Sequence, residues 1–157
     1  MEVLIFIVGA AGYAGVEYLY RGYTHWTMVL TGGACLLAFY CYTKEAKGTP
    51  LLVQAAAGAC IVTVFEFCVG VVVNLWYGWH VWDYSREPGN LLGQICPVFS
   101  FIWFLLCLII LMLFNAIKLI FNRIRTAINQ IYNIFNLTVS IFDCGNCVIY
   151  FFFSIIM

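Results

Sequence analysis

Long apolar runs separated by short polar breaks set the elements of this chain. Val3–Tyr20 carries a single charge, Glu17, and stops at Arg21-Gly22. A second run, Trp26–Tyr42, ends in TKEAKGTP, a third extends from Leu51 to about Trp79, and a fourth, Val98–Ile117, has no charge at all. A helix needs roughly 20 apolar residues to cross about 30 Å of hydrocarbon, so each run is a candidate span. At about 1.5 Å per residue the third is longer than the hydrocarbon layer and must tilt or project. After Ile117 the pattern changes. Ile117, Ile120, Ile124, Ile128, Ile131 and Phe135 recur at helical spacing on one side, with Lys118, Asn122, Arg125, Asn129, Asn133 and Asn136 on the other. That is an amphipathic helix suited to the membrane surface. The last run, CVIYFFFSIIM, is too short to span alone, but joined to LTVSIFD it reaches spanning length with Asp143 inside it. Residues 122–157 therefore read either as a surface anchor or as a fifth span. The expected fold is all-α and polytopic: residues 1–121 hold four transmembrane helices under a polar-aromatic cap, and an amphipathic segment follows.

Composition makes the bilayer the chain's solvent and first partner. The 157 residues are 65% hydrophobic and 9% charged, against about 25% charged in ordinary soluble domains. Mean hydropathy is +1.00. A net charge of zero provides no basic field for nucleic acid. The first run opens on Glu2 with no basic segment before it, so it reads as a retained span rather than a cleaved signal. Four spans place Lys44, Lys47, Lys118, Arg123 and Arg125 on one side and Arg21 and Arg86 on the other. The excess of positive charge on cytoplasmic loops then puts the N-terminus in the cytoplasm of a multi-pass cell-membrane protein. Six cysteines lie in apolar runs, where a thiol behaves as a small hydrophobe. Cys144 and Cys147 have C-x-x-C spacing but lack the second pair of a structural zinc site. Sequences that cradle phosphates, expose a serine nucleophile or pair histidines around zinc are missing, so no metal, cofactor or catalytic residue is implied.

Polar residues inside the spans carry more information, because an ionisable group at a helix centre costs about 2.5–3.5 kcal/mol on insertion scales. Glu17 has a partner one turn on, Arg21. Glu66, Gly70 and Asn74 form a stripe on the third helix, preceded by Thr63. One reading of the stripe is a helix–helix seam with glycine for close approach; the other is a substrate or proton path. The segments RGYTHWTM and GWHVWDYSREPGN fall at the same face of the membrane. Trp26, Trp79, Tyr84 and Trp82 suit the interfacial aromatic belt, a role that leaves His25, Asp83, Asn90 and Gln94 unexplained. Pro88, Gly89, Gly93 and Pro97 interrupt helix, so the second segment is expected to fold back onto the protein.

Three stretches, GVEYLYRGYTHWTM, FEFCVGVVVNLWYGWHVWDYS and NLLGQICPVFSFIW, together resemble the ABC-transporter type IV (CmpB-like) permease family of small integral membrane proteins. The resemblance covers about residues 3–115 and leaves out the tail beyond Asn122. It implies a transport component that works with a separate ATPase subunit, and four spans make a homo-oligomer a further expectation. The matching positions are Glu17, Arg21, Thr24, His25, Trp26, Glu66, Asn74, Trp82, Asp83, Tyr84, Ser85, Asn90 and Gln94, with Gly70, Gly93 and Cys96. They outline a polar pocket in which Arg21 and His25 supply donors, Asp83 and Glu17 orient them, and Glu66 and Asn74 line the way into the membrane. Gly9, Gly12, Gly58 and Gly70 offer surfaces for close helix contact. Two other functions remain open: a membrane enzyme acting on lipid or headgroup substrates, and a structural or assembly protein whose polar groups only hold the bundle.

Overall fold

The computed structural model describes the backbone of residues 1–156 and the side chains of residues 1–138. The apolar runs wind into four helices: α1 (Glu2–Arg21), α2 (Trp26–Glu45), α3 (Leu51–Gly70) and α4 (Pro97–Ile156). α3 continues into a π-helical turn, Val71–Trp76. Four helical stretches among the described residues are long and apolar enough to cross a membrane, namely Glu2–Arg21, Trp26–Glu45, Leu51–Trp76 and Pro97–Thr138. The fold is all-α, and its only strand-like pairing among the described residues is one antiparallel bridge, Leu91 to Ile95.

The helix ends follow from local chemistry. α1 stops where Gly22 adopts a left-handed conformation and its N–H bonds the Tyr18 carbonyl at 2.8 Å. His25 caps α2 with its ring, and Pro50 opens α3, where its missing N–H costs nothing. The third helical stretch ends at Trp76 rather than near Trp79. The chain turns away at Gly78, and the Trp79 N–H reaches back 2.9 Å to the Val73 carbonyl.

The chain divides into two units, Met1–Met112 and Leu113–Met157. In the first, α1 and α2 meet across glycines. A Cβ on Gly32 would fall 2.2 Å from the Tyr13 Cβ, so only hydrogen fits there, and Gly9 faces Gly32 in the same way. Phe39, Ala55, Val62, Cys107 and Leu111 bring α2, α3 and α4 into one apolar core. A second cluster joins Met28, Val73, Val81 and Trp82, so the segment after α3 folds back into the protein. Gly9, Gly58 and Gly70 are each occupied by neighbours within the chain, whereas Gly12 has nothing within 4 Å. Three of the four glycines expected to offer close-contact surfaces therefore meet their neighbours within the chain.

In the second unit the helix presents Ile120, Ile124, Ile128, Ile131 and Phe135 with more than half of each exposed. Asp143, Cys144 and Cys147 lie outside the residues whose side chains are described.

Candidate functional site

The last turn of α1 supplies the charged group. Arg21 donates through Nη2 to Glu17 Oε1, the i to i+4 pair that the sequence spacing predicts. Its Nη1 donates to the Val81 carbonyl at 2.6 Å, tying α1 to the segment after α3. Thr24 donates its hydroxyl to the other carboxylate oxygen of Glu17, and the Tyr23 ring lies 4.7 Å from the guanidinium carbon. The pair is largely sheltered, with Arg21 and Glu17 side chains 16% and 13% exposed. Arg21 Nε is buried without a partner among the described residues.

The π-helical turn carries Asn74 into a clasp on the following loop, a placement typical of such turns at special sites. Asn74 Nδ2 donates to the Trp82 carbonyl at 3.1 Å and to Gln94 Oε1 at 2.8 Å. Its Oδ1 accepts from the Val81 N–H at 2.7 Å. Trp82 Nε1 donates to the Gln94 carbonyl at 2.9 Å, and Gln94 Nε2 donates to the Leu92 carbonyl at 2.9 Å. Gly70 makes room for this clasp: a Cβ there would sit 2.5 Å from Gln94 Oε1 and 2.8 Å from Trp82 Cζ2. The glycine in the α3 stripe thus faces a loop, not another helix.

Glu66, two turns before Asn74, is 2% exposed. Its Oε1 accepts from the Tyr13 hydroxyl at 2.7 Å and its Oε2 from Trp103 Nε1 at 2.8 Å. The two donor rings stack, with centroids 5.3 Å apart and planes 24° from parallel. Both line a partly open cavity of about 350 Å³ bordered by α1, Met28 of α2, α4 and the 77–96 loop. Glu17 and Arg21 line it from α1, Trp82, Tyr84 and Glu87 from the loop, and Val98, Phe99 and Ile102 from α4. Tyr84 stacks on Phe99 at 4.4 Å, and burial raises the Tyr84 phenol above its ordinary range, keeping it neutral.

The residues singled out in the sequence therefore separate into four groups. Glu17, Arg21, Trp82 and Tyr84 line the cavity, with Thr24 bonded to Glu17 and Glu66 one hydrogen bond behind the lining rings. Asn74 and Gln94 belong to the clasp and line no wall of the cavity. His25 and Trp26 stand apart from it. The His25 Nδ1 lies 2.7 Å from Thr27 Oγ1, and its ring packs against Trp26 and Trp79 at 5.7 and 5.6 Å. Asp83, Ser85 and Asn90 form an exposed turn. Asp83 Oδ1 accepts from the Ser85 N–H at 2.8 Å and from the Ser85 hydroxyl, while Asn90 Nδ2 donates to the Ser85 and Glu87 carbonyls at 3.1 and 2.8 Å. Asp83 was expected to orient Arg21 and His25 and does neither, because a hydroxyl and an N–H two residues on satisfy it locally. Ser85 holds the Asp83 carboxyl below its ordinary range, the hydroxyl bond counting first and the N–H bond second. Trp82 is 9% exposed and bonded through its indole N–H, so it has no place in the interfacial belt, while Trp26 is 59% exposed and fits there.

Sequence reasoning missed Tyr13, Glu87, Phe99 and Trp103. Tyr13 precedes Glu17 by one turn on the same helix face, and Trp103 closes the NLLGQICPVFSFIW stretch. Both positions were legible as neighbours of flagged residues. Among the described residues no group of three His, Cys, Asp or Glu side chains could hold a metal ion.

Comparison with known families places these helices. A family model described as "Putative ABC-transporter type IV" matches residues 3–148. The match runs beyond residue 115, where the motif resemblance stops, and takes in residues 122–148 of the tail. Neither a curated protein nor a solved structure matches the chain significantly. With four helices fit to cross a membrane and a match spanning nearly all of its length, the chain belongs to the putative ABC-transporter type IV family of membrane proteins.

Proposed function

We propose that this chain is a permease or transport component, and that the cavity between α1, α4 and the 77–96 loop is its ligand site. The cavity itself carries the reading: about 350 Å³ of space, within the range of small-molecule sites, is walled by apolar side chains with a few charged groups among them. A bundle whose polar residues served only as glue would have no reason to leave such a volume open. The structural reading keeps one region, since Asn74 and Gln94 satisfy each other and the loop, and their role is to hold the loop in place. Nothing favours the enzyme reading, as His25 bonds its own helix end and stands away from the cavity.

With the N-terminus cytoplasmic, as the distribution of Lys and Arg supports, the cavity lies toward the outer leaflet. The chain has no phosphate-cradling sequence, so energy for transport would come from a separate ATPase subunit. Homo-oligomerisation remains an expectation of the small span number.

The test is ligand-dependent thermal stabilisation of the purified protein against metal ions, amino acids, sugars, nucleosides, organic cations and lipid headgroups. Val98→Trp, which fills the cavity from α4, serves as the control. Stabilisation of wild type by one class, lost in Val98→Trp, supports the site. Stabilisation by no class, or stabilisation that Val98→Trp retains, removes it.

A further inference from the structure

We infer that the cavity selects an organic ammonium group; this rests on the cavity being the ligand site. Six of its thirteen lining residues are aromatic, and five of those rings pack against one another. Tyr13 and Trp103 form one stacked pair and Tyr84 and Phe99 another, and Tyr20 meets Phe99 edge-on with centroids 6.0 Å apart. Stacking leaves one face of each ring free of its partner. A cation over the face of Trp, Tyr or Phe is attracted by the ring quadrupole, the principle of aromatic cages for quaternary ammonium groups.

Charge points the same way. Three charged residues line the cavity: Glu17, Arg21 and Glu87. Arg21 is matched by Glu17, spends its other terminal nitrogen on the Val81 carbonyl, and keeps its Nε out of solvent reach. Glu87 has no cation within salt-bridge distance among the described residues. The balance is one unmatched carboxylate among aromatic faces, which favours a cation and disfavours an anion. A strongly hydrated small ion gains little from rings, whereas an alkylated ammonium sheds water easily and fills the apolar remainder formed by Val16, Val98 and Ile102.

Glu66 is the positioning residue of this cage. It does not line the cavity, but one carboxylate oxygen takes the Tyr13 hydroxyl and the other takes the Trp103 indole N–H. Each ring is thereby fixed at its polar edge, and both rings line the cavity. This gives the buried carboxylate a task that a smaller polar residue could not perform, since two donors on two helices must be held at once.

The same ammonium chemistry could reach the cavity on a free small molecule or on a phosphatidylcholine headgroup. The test titrates choline, its neutral carbon isostere 3,3-dimethylbutan-1-ol and the anion 3,3-dimethylbutanoate into the detergent-solubilised full chain, followed by tryptophan fluorescence. In parallel, the melting temperature is compared in nanodiscs of phosphatidylcholine and of phosphatidylglycerol with identical acyl chains. The expected result is choline binding about tenfold tighter than the neutral isostere, as cation–π attraction in a partly desolvated site implies. Glu87→Gln and Tyr84→Leu should each weaken choline without affecting the isostere equally. Stabilisation by phosphatidylcholine alone, lost in Glu87→Gln, also supports the inference and makes the lipid the source. Equal binding of choline and the isostere, or preference for the anion, overturns the ammonium inference while leaving a binding cavity in place. Binding of none of the three ligands, with equal melting in both lipids, overturns the inference, and the broader panel above then decides the site itself.

Discussion

The segment between α3 and α4 contains two polar clusters that resemble each other in sequence and differ in surroundings. In the clasp, Asn74, Gln94 and Trp82 are 5%, 3% and 9% exposed, and their polar atoms pair with one another and with the loop backbone. In the nearby turn, Asp83, Ser85 and Asn90 make as many bonds, yet Asp83 and Ser85 are exposed. Water can replace a bond lost from the turn but not one lost from the clasp. A buried donor or acceptor left unpaired costs about 1–3 kcal/mol, while exposed bonds contribute little net. Polar density along a sequence therefore says where the chain leaves regular helix, and burial says which of those polar groups hold the structure.

The largest effect is expected from Asn74→Ala. It strips partners from the Val81 N–H, the Trp82 carbonyl and Gln94 Oε1 together. A loss of about 3–5 kcal/mol follows from three buried groups of this kind. That corresponds to a fall in melting temperature of roughly 6–20 °C at this chain length. Faster proteolysis within residues 77–96 should accompany it. An unchanged melting temperature would mean the clasp does not anchor the loop.

Gly70→Ala attacks the same clasp by volume rather than by bonding. Its methyl would meet Gln94 Oε1 at 2.5 Å and Trp82 Cζ2 at 2.8 Å, and neither can retreat without breaking a hydrogen bond. Overpacking of this kind costs about 1–3 kcal/mol. Combining it with Asn74→Ala should cost less than the sum of the two, because both release one loop. Strict additivity, read from melting curves of the double variant, would break the link between stripe and loop.

Glu66→Gln comes next, because an amide keeps one acceptor for two donors. The Tyr13 hydroxyl can turn to accept from the new amide N–H, so the expected loss is about 1–2 kcal/mol. Glu66→Leu leaves the Tyr13 hydroxyl and the Trp103 N–H both unpaired and should cost more. Reversal of that order would mean the carboxylate is not there to hold the rings, and tryptophan fluorescence of the two variants gives an independent reading of the Trp103 environment.

How much of this could be read from the sequence depends on the range of each interaction. The spans follow from apolar run length, a local property. The Glu17–Arg21 pair follows from one-turn spacing, and the Glu66–Gly70–Asn74 stripe from helical period. What each residue faces was not legible. Glu66 meets Tyr13, 53 residues away, and Trp103, 37 away, and nothing local marks such pairings. Gly70 read as a helix seam because glycine signals closeness without naming the neighbour. Trp82 read as a belt residue because an interfacial indole and a buried, bonded one have the same sequence signature. Asp83 read as an organiser of Arg21 because charge attracts attention in an apolar chain, while Ser85 two positions on already offered a cheaper partner.

The smallest expected effect, Asp83→Asn, is also the sharpest test of the comparison, since it removes a full charge in the middle of the segment. An asparagine oxygen can accept from the Ser85 N–H and hydroxyl as the carboxylate does. The side chain is exposed, so water takes up the difference, and the melting temperature at neutral pH should stay close to the wild-type value. The pH behaviour has a defined sign. The Ser85 bonds depress the Asp83 carboxyl in the folded protein, so their contribution is present above the unfolded carboxylate range of about 3.9 and is lost as pH falls through the lowered folded value. Melting curves of wild type and Asp83→Asn should therefore coincide at neutral pH and differ, if at all, only in acid. A loss at pH 7 comparable to that of Asn74→Ala would erase the distinction between the two clusters and return Asp83 to the site.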